Sequence, residues 1–263
     1  VPLTETICKG VFRLEQGRYF TRRGGEMNIV RYFDPMMQEA KWELDDAAEQ
    51  IDRAFQDSVR CHQIADVEIG AFLSGGVDSG YVLSLARPDK VYSIGFEQDG
   101  FDETEQAEAL CQTLGLKTQV KKLSAEEFFS VLPKIQYHMD EPEANLSSVP
   151  LYFLAQAAAK DAKAVLSGEG ADELFGGYQW YIQSDVSLLW RKLPKSVREK
   201  FAVWTKKMPE RIRRFFSENA RDVEESFIGQ AFIMKDADAD RLIKDKYRST
   251  VTYKDVTAPY YEK

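Results

Sequence analysis

The segment "GAFLSGGVDSGYVLSLA", which runs from Gly70 to Ala86, changes its pattern in the middle. An apolar run ends in Ser-Gly-Gly, and after an acid and a serine the apolar residues take helical spacing. Gly75 and Gly76 permit a positive φ and let a ligand approach the backbone closely. Successive amides in such a turn, followed by a helix N-terminus, form an anion-binding nest. The segment therefore predicts a buried strand that passes through an anion-binding turn into a helix.

The acid in this turn indicates how the anion is held. Ser74 and Ser79 add hydroxyl donors that suit a polyphosphate, whereas Asp78 repels a polyphosphate unless a cation lies between them. Mg²⁺ is a hard ion that takes carboxylate and phosphate oxygens together, so the turn predicts both ligands. The alternative is a plain strand–turn–helix in which Asp78 only caps the helix. The chain contains no Walker A sequence, G-x-x-x-x-G-K-[ST].

Strand-like and helix-like segments alternate from residue 65 to residue 180. The strand candidates are 67–73, 90–97, 117–123 and 162–170. The alternation predicts an α/β fold with a doubly wound, mainly parallel sheet and helices on both faces. Ligands of such sheets bind at the carboxyl ends of the strands.

Local signals predict where several of the helices begin and end. Asp102 is a candidate N-cap, and Gly115 follows the end of the same helical pattern. Ser124 and Glu127 have the spacing of a capping box. Pro133 is expected to kink or divide the helix that this box opens.

A second glycine-rich turn, "LSGEGADELFGGY" at 166–178, follows the last strand candidate. Glu169, Asp172 and Glu173 place three acids close together, which is costly unless a cation or a cationic substrate compensates their charge. The alternative is a solvated helix start, where acids are favourable. Because both glycine-rich turns follow strands of one predicted sheet, we expect them to lie at the same edge.

The composition of the 263 residues argues against several classes of protein. The net charge of −8 gives no general attraction to nucleic acid or to an anionic membrane. The cysteines Cys8, Cys61 and Cys111 are far apart and form no CxxC pair, which is typical of reduced thiols in a cytoplasmic protein. No apolar run approaches the roughly 20 residues that span a bilayer. We expect a cytoplasmic protein with no nucleic-acid or membrane partner.

Two motifs together carry a resemblance to a known family. "FLSGGVDS" followed by "LSGEGADELFGGY" resembles the synthetase domain of glutamine-hydrolysing asparagine synthetases, a branch of the ATP pyrophosphatases with an adenine nucleotide alpha-hydrolase-like fold. Several ATP pyrophosphatases share the first motif, whereas the second is more specific to asparagine synthetases and the related β-lactam synthetases. "SIGFE", "DEP" and "SSVPLYFLA" lie between them in the expected order. The resemblance is strong over 65–180 and weak in the flanks.

The resemblance implies roles for residues of both turns. The residues that match the ATP site are Phe72, Leu73, Ser74, Gly75, Gly76, Asp78, Ser79, Ile94, Ser167 and Gly168. Asp78 and Asp172 match the pair that binds Mg²⁺, and they join Glu169 in the catalytic set. Glu169 matches an acid that acts in forming a β-aspartyl adenylate and in its attack by ammonia. Glu169 and Tyr178 match positions that contact the substrate.

The activity that the resemblance implies is asparagine synthesis. The side-chain carboxylate of aspartate attacks the α-phosphorus of ATP, pyrophosphate leaves, and ammonia then displaces AMP. ATP and Mg²⁺ are the expected cofactors, and aspartate and ammonia are the expected substrates. The ammonia would come from glutamine through an N-terminal glutaminase domain, and a homodimer is one option for the assembly.

The resemblance also predicts how the chain is divided. Residues 1–35, with two extended runs around "RRGGE", match the last hairpin of a glutaminase domain and its linker. Residues 36–180 form the synthetase domain, and 181–263 form an incomplete helical extension. A lysine near the phosphates in the family has no match here, so we expect a chain cut at both ends that binds Mg·ATP weakly and turns over little.

Three other functions remain open at the level of sequence. The first is a β-lactam synthetase-like enzyme or another ATP pyrophosphatase that forms amides on a different acid. The second is a tRNA-modifying ATP pyrophosphatase, against which the acidic charge and the unpaired cysteines argue. The third is a nucleotide-binding module without catalysis.

Overall fold

The computed structural model of the protein describes residues 4–34, 40–98, 100, 102–142, 144–222, 241–248 and 251–261. The chain divides into two units, one of which is Met37–Tyr178. The other combines Val1–Met36 with Gln179–Lys263. The domain boundaries at residues 35 and 180, and the interpretation of 1–35 as part of a glutaminase domain, stay predictions.

The N-terminal segment contains an antiparallel hairpin of β1 (Arg18–Arg23) and β2 (Glu26–Arg31). The strands are joined at Gly24 and Gly25, both of which have a positive φ, 59° and 91°. Two consecutive left-handed residues are what a tight two-residue hairpin turn requires, and glycine meets that requirement without strain. The hairpin predicted around "RRGGE" is therefore present.

The unit Met37–Tyr178 alternates between helices and strands, as the sequence pattern predicts. Its elements are α1 (Leu44–His62), β3 (Ile69–Phe72), α2 (Val77–Ala86), β4 (Val91–Phe96), α3 (Thr104–Leu114), β5 (Thr118–Leu123), α4 (Ala125–Ser130), α5 (Leu132–His138), α6 (Ser148–Ala158), β6 (Ala164–Leu166) and α7 (Ala171–Phe175).

The four strands of this unit form one parallel sheet in the order β5-β4-β3-β6. The chain starts at β3 and moves outward through β4 to β5. It then returns to place β6 on the other side of β3, so the direction of winding reverses between β3 and β6. Such a reversal leaves a crevice at the carboxyl ends of the two strands, which is where parallel sheets bind their ligands.

Helices cover both faces of the sheet. Val91 of β4 packs with Leu83 of α2 and with Ala107 of α3. The next residue, Tyr92, points to the opposite face, where it packs with Ala158 of α6. The doubly wound α/β class predicted from the sequence is confirmed.

The predicted capping box, proline break and glycine helix end are present in this unit. The Ser124 hydroxyl accepts a hydrogen bond from the Glu127 amide at 3.2 Å, and the Glu127 carboxylate accepts one from the Ser124 amide at 3.2 Å, so the capping box forms. Pro133 lies in the first turn of α5 and marks the division of the helical pattern into α4 and α5. Gly115 ends α3 in the left-handed conformation with φ 71°.

Helices make up much of the described part of the segment after Tyr178. It contains α8 (Asp185–Arg191), α9 (Lys195–Trp204), α10 (Glu210–Ala220) and α11 (Tyr253–Tyr261). Arg198 of α9 is 6% exposed, and its guanidinium donates to the Asn219 carbonyl at 2.8 Å and to the Asp222 carboxylate at 3.1 Å. These charge-assisted bonds tie α9 to the end of α10.

A buried tyrosine closes the amino-terminal end of the sheet. The Tyr92 hydroxyl donates to the Asp161 carboxylate, which also accepts from the Gln119 amide at 3.2 Å. Burial, and after it the hydrogen bond to Asp161, raises the pKa of Tyr92 to about 12. Lys90 lies beside this group and is paired with the Glu68 carboxylate at 2.7 Å.

We expect Tyr92→Phe to lower the free energy of unfolding by about 1 kcal/mol, because one hydrogen bond is lost at an otherwise filled site. The pKa of Tyr92 is higher in the folded state than the value near 10 of an unfolded tyrosine. The stability that it contributes is therefore complete below about pH 10 and is lost as the pH rises toward about 12. Urea titrations from pH 8 to 12 should show a shallower alkaline loss in Tyr92→Phe. An unchanged slope would contradict this account.

Candidate functional site

A cavity of about 390 Å³ lies at the carboxyl ends of the strands in Met37–Tyr178. Phe72 at the end of β3 and Ile94 in β4 line it from the sheet, and Leu154 lines it from α6. Both glycine-rich turns reach the same cavity, the first through Asp78 and the second through Glu169. The cavity therefore occupies the crevice that the reversal between β3 and β6 creates.

The first turn is held by its own serines. The hydroxyls of Ser74 and Ser79 lie 3.0 Å apart, and the Ser79 hydroxyl also accepts from the Ser74 amide at 3.2 Å. Gly75 has φ 86°, and the Gly76 amide donates to the Ser74 hydroxyl at 3.3 Å. Helix α2 begins at Val77, and the first amides of any helix have no acceptor within it. The turn thus presents backbone donors at a helix N-terminus.

The second turn packs directly against the first. A Cβ atom on Gly168 would lie 2.6 Å from the Ser79 amide nitrogen and 2.9 Å from the Asp78 carbonyl carbon, distances that real Cβ atoms do not adopt. Only glycine lets the backbone that follows β6 come this close to the first turn of α2. The contact brings the residues after β3 and the residues after β6 into one site.

Acidic side chains from both turns line the cavity. Asp78 comes from α2, Glu169 from the second turn, and Asp172 and Glu173 from α7. The Glu173 carboxylate accepts a hydrogen bond from the Tyr178 hydroxyl at 2.8 Å. Among the described residues, no three His, Cys, Asp or Glu side chains are grouped so that they could hold a metal ion by themselves.

The structure brings nearly all of the predicted site residues together. Those that line the cavity are Phe72, Leu73, Ser74, Asp78, Ser79, Ile94, Ser167, Gly168, Glu169, Asp172 and Tyr178. Gly75 and Gly76 do not line it. Gly75 instead packs against the backbone of Glu103, and Gly76 is the N-cap of α2.

The sequence reasoning missed part of the cavity wall. Phe96, Pro150 and Leu151 are apolar residues of this wall, and the acidic residue Glu103 also lines the cavity. Phe96 ends β4, so the rule that ligands lie at strand ends could have found it. Pro150 and Leu151 lie in "SSVPLYFLA", a segment that supports the family resemblance only through its order along the chain. No sequence signal pointed to Glu103.

The start of α3 differs in detail from its prediction. By backbone geometry the N-cap is Glu103, whose side chain makes no capping bond, and the helix begins at Thr104. The Asp102 carboxylate supplies the cap from one residue earlier, accepting from the Thr104 amide at 3.1 Å and from its hydroxyl at 2.7 Å. It also pairs with the Lys122 ammonium of β5 at 2.6 Å. The hydrogen bonds from Lys122 and Thr104 lower the pKa of Asp102 to about 2.

None of the helices in the described parts of the chain combines the length and the apolar character needed to cross a membrane.

Comparison with known proteins shows the family to which the sequence is similar. Residues 50–258 match the family model described as asparagine synthase. The chain is 35% identical over 268 residues to glutamine-hydrolysing asparagine synthetase 1 of Bacillus subtilis, covering 99% of this chain and 42% of that protein. It is 39% identical over 272 residues to a Mycobacterium tuberculosis protein described as a glutamine-hydrolysing asparagine synthetase, with the same coverage of 99% and 42%.

The chain thus spans about 42% of the length of these curated relatives. The likeness to a solved structure, the NH3-dependent NAD synthetase from Campylobacter jejuni, is low, with a TM-score of 0.33 and 16% identity over 68% of this chain and 94% of that chain. The family model covers well over half of the chain and includes both glycine-rich turns. The chain belongs to the asparagine synthase family.

Proposed function

We propose that the protein makes asparagine by adenylating the side-chain carboxylate of aspartate with ATP. Pyrophosphate leaves, and ammonia then attacks the acyl carbon and displaces AMP. The observation that carries the proposal is the backbone contact at Gly168, which joins the anion-binding turn to the acidic turn in one cavity. Membership of the asparagine synthase family supports the choice of reaction.

The first turn would hold the pyrophosphate that leaves. The backbone of Gly75 and Gly76 and the hydroxyls of Ser74 and Ser79 lie at the N-terminus of α2, where amides and the helix dipole favour an anion. Positioning the chain of phosphates in line with the attacking carboxylate is most of what a protein contributes to such a transfer.

Asp78 and Asp172 would hold the Mg²⁺ that accompanies ATP. Mg²⁺ is bound in nucleotide sites through one or two carboxylates together with substrate phosphates and water, so two carboxylates in one cavity fit it without a third protein ligand. When bound, the ion would neutralise phosphate charge beside the acids of the cavity. This pair of acids is therefore compatible with polyphosphate only in the presence of the cation.

The apolar side of the cavity would receive the adenosine. Phe72, Leu73 and Ile94 lie where β3 and β4 end, and Ser167 and Gly168 lie where β6 ends. A flat apolar wall suits the ring of a base. Ser167 and Gly168 would contact the ribose and the α-phosphate.

Glu169 and Tyr178 would act on the aspartate side. Glu169 lies two residues after Ser167, whose hydroxyl accepts a hydrogen bond from the Glu169 amide at 3.4 Å. This bond holds the Glu169 backbone next to the proposed nucleotide contacts. We assign Glu169 to receive a proton from the attacking ammonia while AMP leaves. The Tyr178 hydroxyl donates a hydrogen bond to the Glu173 carboxylate at 2.8 Å, and Tyr178 would contact the substrate from this position.

The remaining parts of the proposal concern the whole protein. The ammonia would be released from glutamine by a glutaminase domain to which residues 1–35 contribute the last hairpin and the linker, with 36–180 as the synthetase domain and 181–263 as its helical extension. The protein would be cytoplasmic, and a homodimer is the assembly to test by light scattering.

Pyrophosphate exchange tests the reaction. We expect the full-length protein to incorporate labelled pyrophosphate into ATP only when aspartate and Mg²⁺ are both present, and Glu169→Gln to lower the asparagine formation rate by at least about a hundredfold. Glu169→Gln should leave the dissociation constant of Mg·ATP within about twofold, since it does not touch the phosphates. Exchange driven by another carboxylic acid but not by aspartate would favour a β-lactam synthetase-like or other amide-forming reaction and remove the proposal.

A further inference from the structure

We propose that Asp102 is a positioning residue for the first glycine-rich turn. It fixes the start of α3 so that the backbone of Glu103 supports Gly75, and through Gly75 it sets the shape of the pyrophosphate-binding surface. The inference deepens the proposed function and rests on it for the identity of the ligand. The contact between the Glu103 backbone and Gly75 does not depend on any ligand.

Three elements meet at the Asp102 carboxylate. One oxygen accepts from the amide and the hydroxyl of Thr104, which is 2% exposed at the start of α3. The other oxygen pairs with Lys122 on β5 at 2.6 Å. A Cβ on Gly95 of β4 would lie only 2.2 Å from the carboxylate, so the acid sits directly on the β4 backbone. We call Asp102, Thr104, Lys122 and Gly95 the Asp102 anchor.

Glu103, the residue after Asp102, connects the Asp102 anchor to the first glycine-rich turn. A Cβ on Gly75 would lie 2.8 Å from the Glu103 carbonyl oxygen and 3.4 Å from the Glu103 Cβ, which means that the turn rests on the Glu103 backbone. Glu103 also lines the cavity. Gly75 has φ 86°, and the turn around it bonds mainly to itself through Ser74 and Ser79. The support from Glu103 is an additional restraint from outside the turn.

The chain provides a matched control for the Asp102 anchor. Lys121 precedes Lys122 on β5 and also pairs with a helix-capping acid, Glu127, at 2.8 Å. Lys121 points to the opposite face of the sheet, where its ammonium lies over the Phe153 ring. Glu127 and Lys121 do not line the cavity. The two ion pairs therefore have the same chemistry, and only one of them leads to the first glycine-rich turn.

Hydrogen exchange tests the inference without any ligand. In the full-length protein we expect Asp102→Ala to speed the amide exchange of a peptide covering residues 73–80 by at least about threefold. Lys122→Met should have a smaller effect in the same direction. Asp102→Asn keeps an oxygen acceptor for Thr104 and should restore part of the protection. Lys121→Met and Glu127→Gln should leave this peptide unchanged, although Glu127→Gln lowers the melting temperature.

Nucleotide binding supplies the second readout. The dissociation constant of Mg·ATP should rise about tenfold in Asp102→Ala and about threefold in Lys122→Met, and it should stay within twofold of wild type in the two control variants. Unchanged exchange in Asp102→Ala, or an equal effect of Glu127→Gln on the same peptide, overturns the inference. If the wild-type protein fails to bind Mg·ATP while exchange in 73–80 still responds to Asp102→Ala, the positioning role stands and the proposed function falls.

Discussion

Gly168→Ala is expected to weaken Mg·ATP binding by more than about a hundredfold, because it displaces the contacts on both sides of the nucleotide together, and a displacement of about 1 Å can already cost an enzyme about a hundredfold in rate. The new methyl group would lie 2.6 Å from the Ser79 amide nitrogen and 2.9 Å from the Ser79 Cα. An ordinary carbon contact is close to 3.5–4.0 Å, so the two turns must separate by about an ångström.

The clash cannot be relieved by a rotamer change. All three of the atoms nearest to the new Cβ belong to the backbone of Asp78 and Ser79, in the first turn of α2. Moving them would break the arrangement in which Ser79 bonds to Ser74, or would shift α7 and the acids that follow Gly168. Either movement separates the proposed phosphate contacts from the proposed magnesium ligands.

A second glycine provides the control. Gly80 lies within α2, and a Cβ there would meet only the end of the Leu110 side chain at 3.1 Å, which can move. Gly80→Ala should keep nucleotide affinity within about twofold and should not lower stability, since alanine favours a helix by up to about 1 kcal/mol over glycine. Calorimetric titration of Mg·ATP into both variants, with circular dichroism to confirm folding, decides the matter. Wild-type affinity in folded Gly168→Ala would contradict the role given to this contact.

The two turns could be predicted from sequence because their signals are local. "SGGVDS" and "SGEGADELFGGY" each combine glycine, serine and acid where a strand pattern ends, and both do reach one cavity. The class of sheet also follows from alternation alone. The order of strands does not, because hydrophobic periodicity describes each strand and not its neighbours. Nothing in the sequence showed that β6 would pair with β3 instead of β5.

The parts of the site that were missed depend on tertiary contact. Glu103 reaches the cavity because Asp102 is held between β4, β5 and α3, and Lys122 is distant from Asp102 in sequence. The sequence did identify Asp102 as a capping residue, but it placed the cap one residue early. The backbone of Glu103 takes that position because the Asp102 side chain turns toward Thr104 and Lys122 at once.

Asp78→Asn is expected to weaken ATP binding in the presence of Mg²⁺ but not in its absence. With Mg²⁺ present, the loss of one carboxylate ligand should weaken ATP binding by about a hundredfold, because even the residues that only support a metal ligand are worth about 10- to 100-fold in metal affinity. Without Mg²⁺, the same variant should bind ATP at least as well as wild type, because it no longer repels the phosphates. Asp172→Asn should behave in the same way, since its carboxylate lines the same cavity.

Glu173→Gln separates a metal role from the general charge of the cavity. Glu173 is also an acid that lines the cavity, but its carboxylate accepts from the Tyr178 hydroxyl and is not one of the proposed magnesium ligands. Its replacement should leave the ratio of ATP affinities with and without Mg²⁺ within about threefold of wild type, since only a long-range charge is removed. Equal loss of this ratio in all three variants would point to bulk charge instead of coordination.

The double variant Asp78→Asn, Asp172→Asn completes the argument. If both carboxylates hold one ion, the first substitution already removes most of the ion's contribution, so the second has little further effect. The loss of ATP affinity in the double variant should therefore be smaller than the product of the two single losses by at least about tenfold. Titrations of ATP over a range of Mg²⁺ concentrations, at constant ionic strength, measure the coupling directly. Fully additive losses of ATP affinity would mean that the two acids act independently. That result would contradict the proposal that α2 and α7 share one magnesium ion.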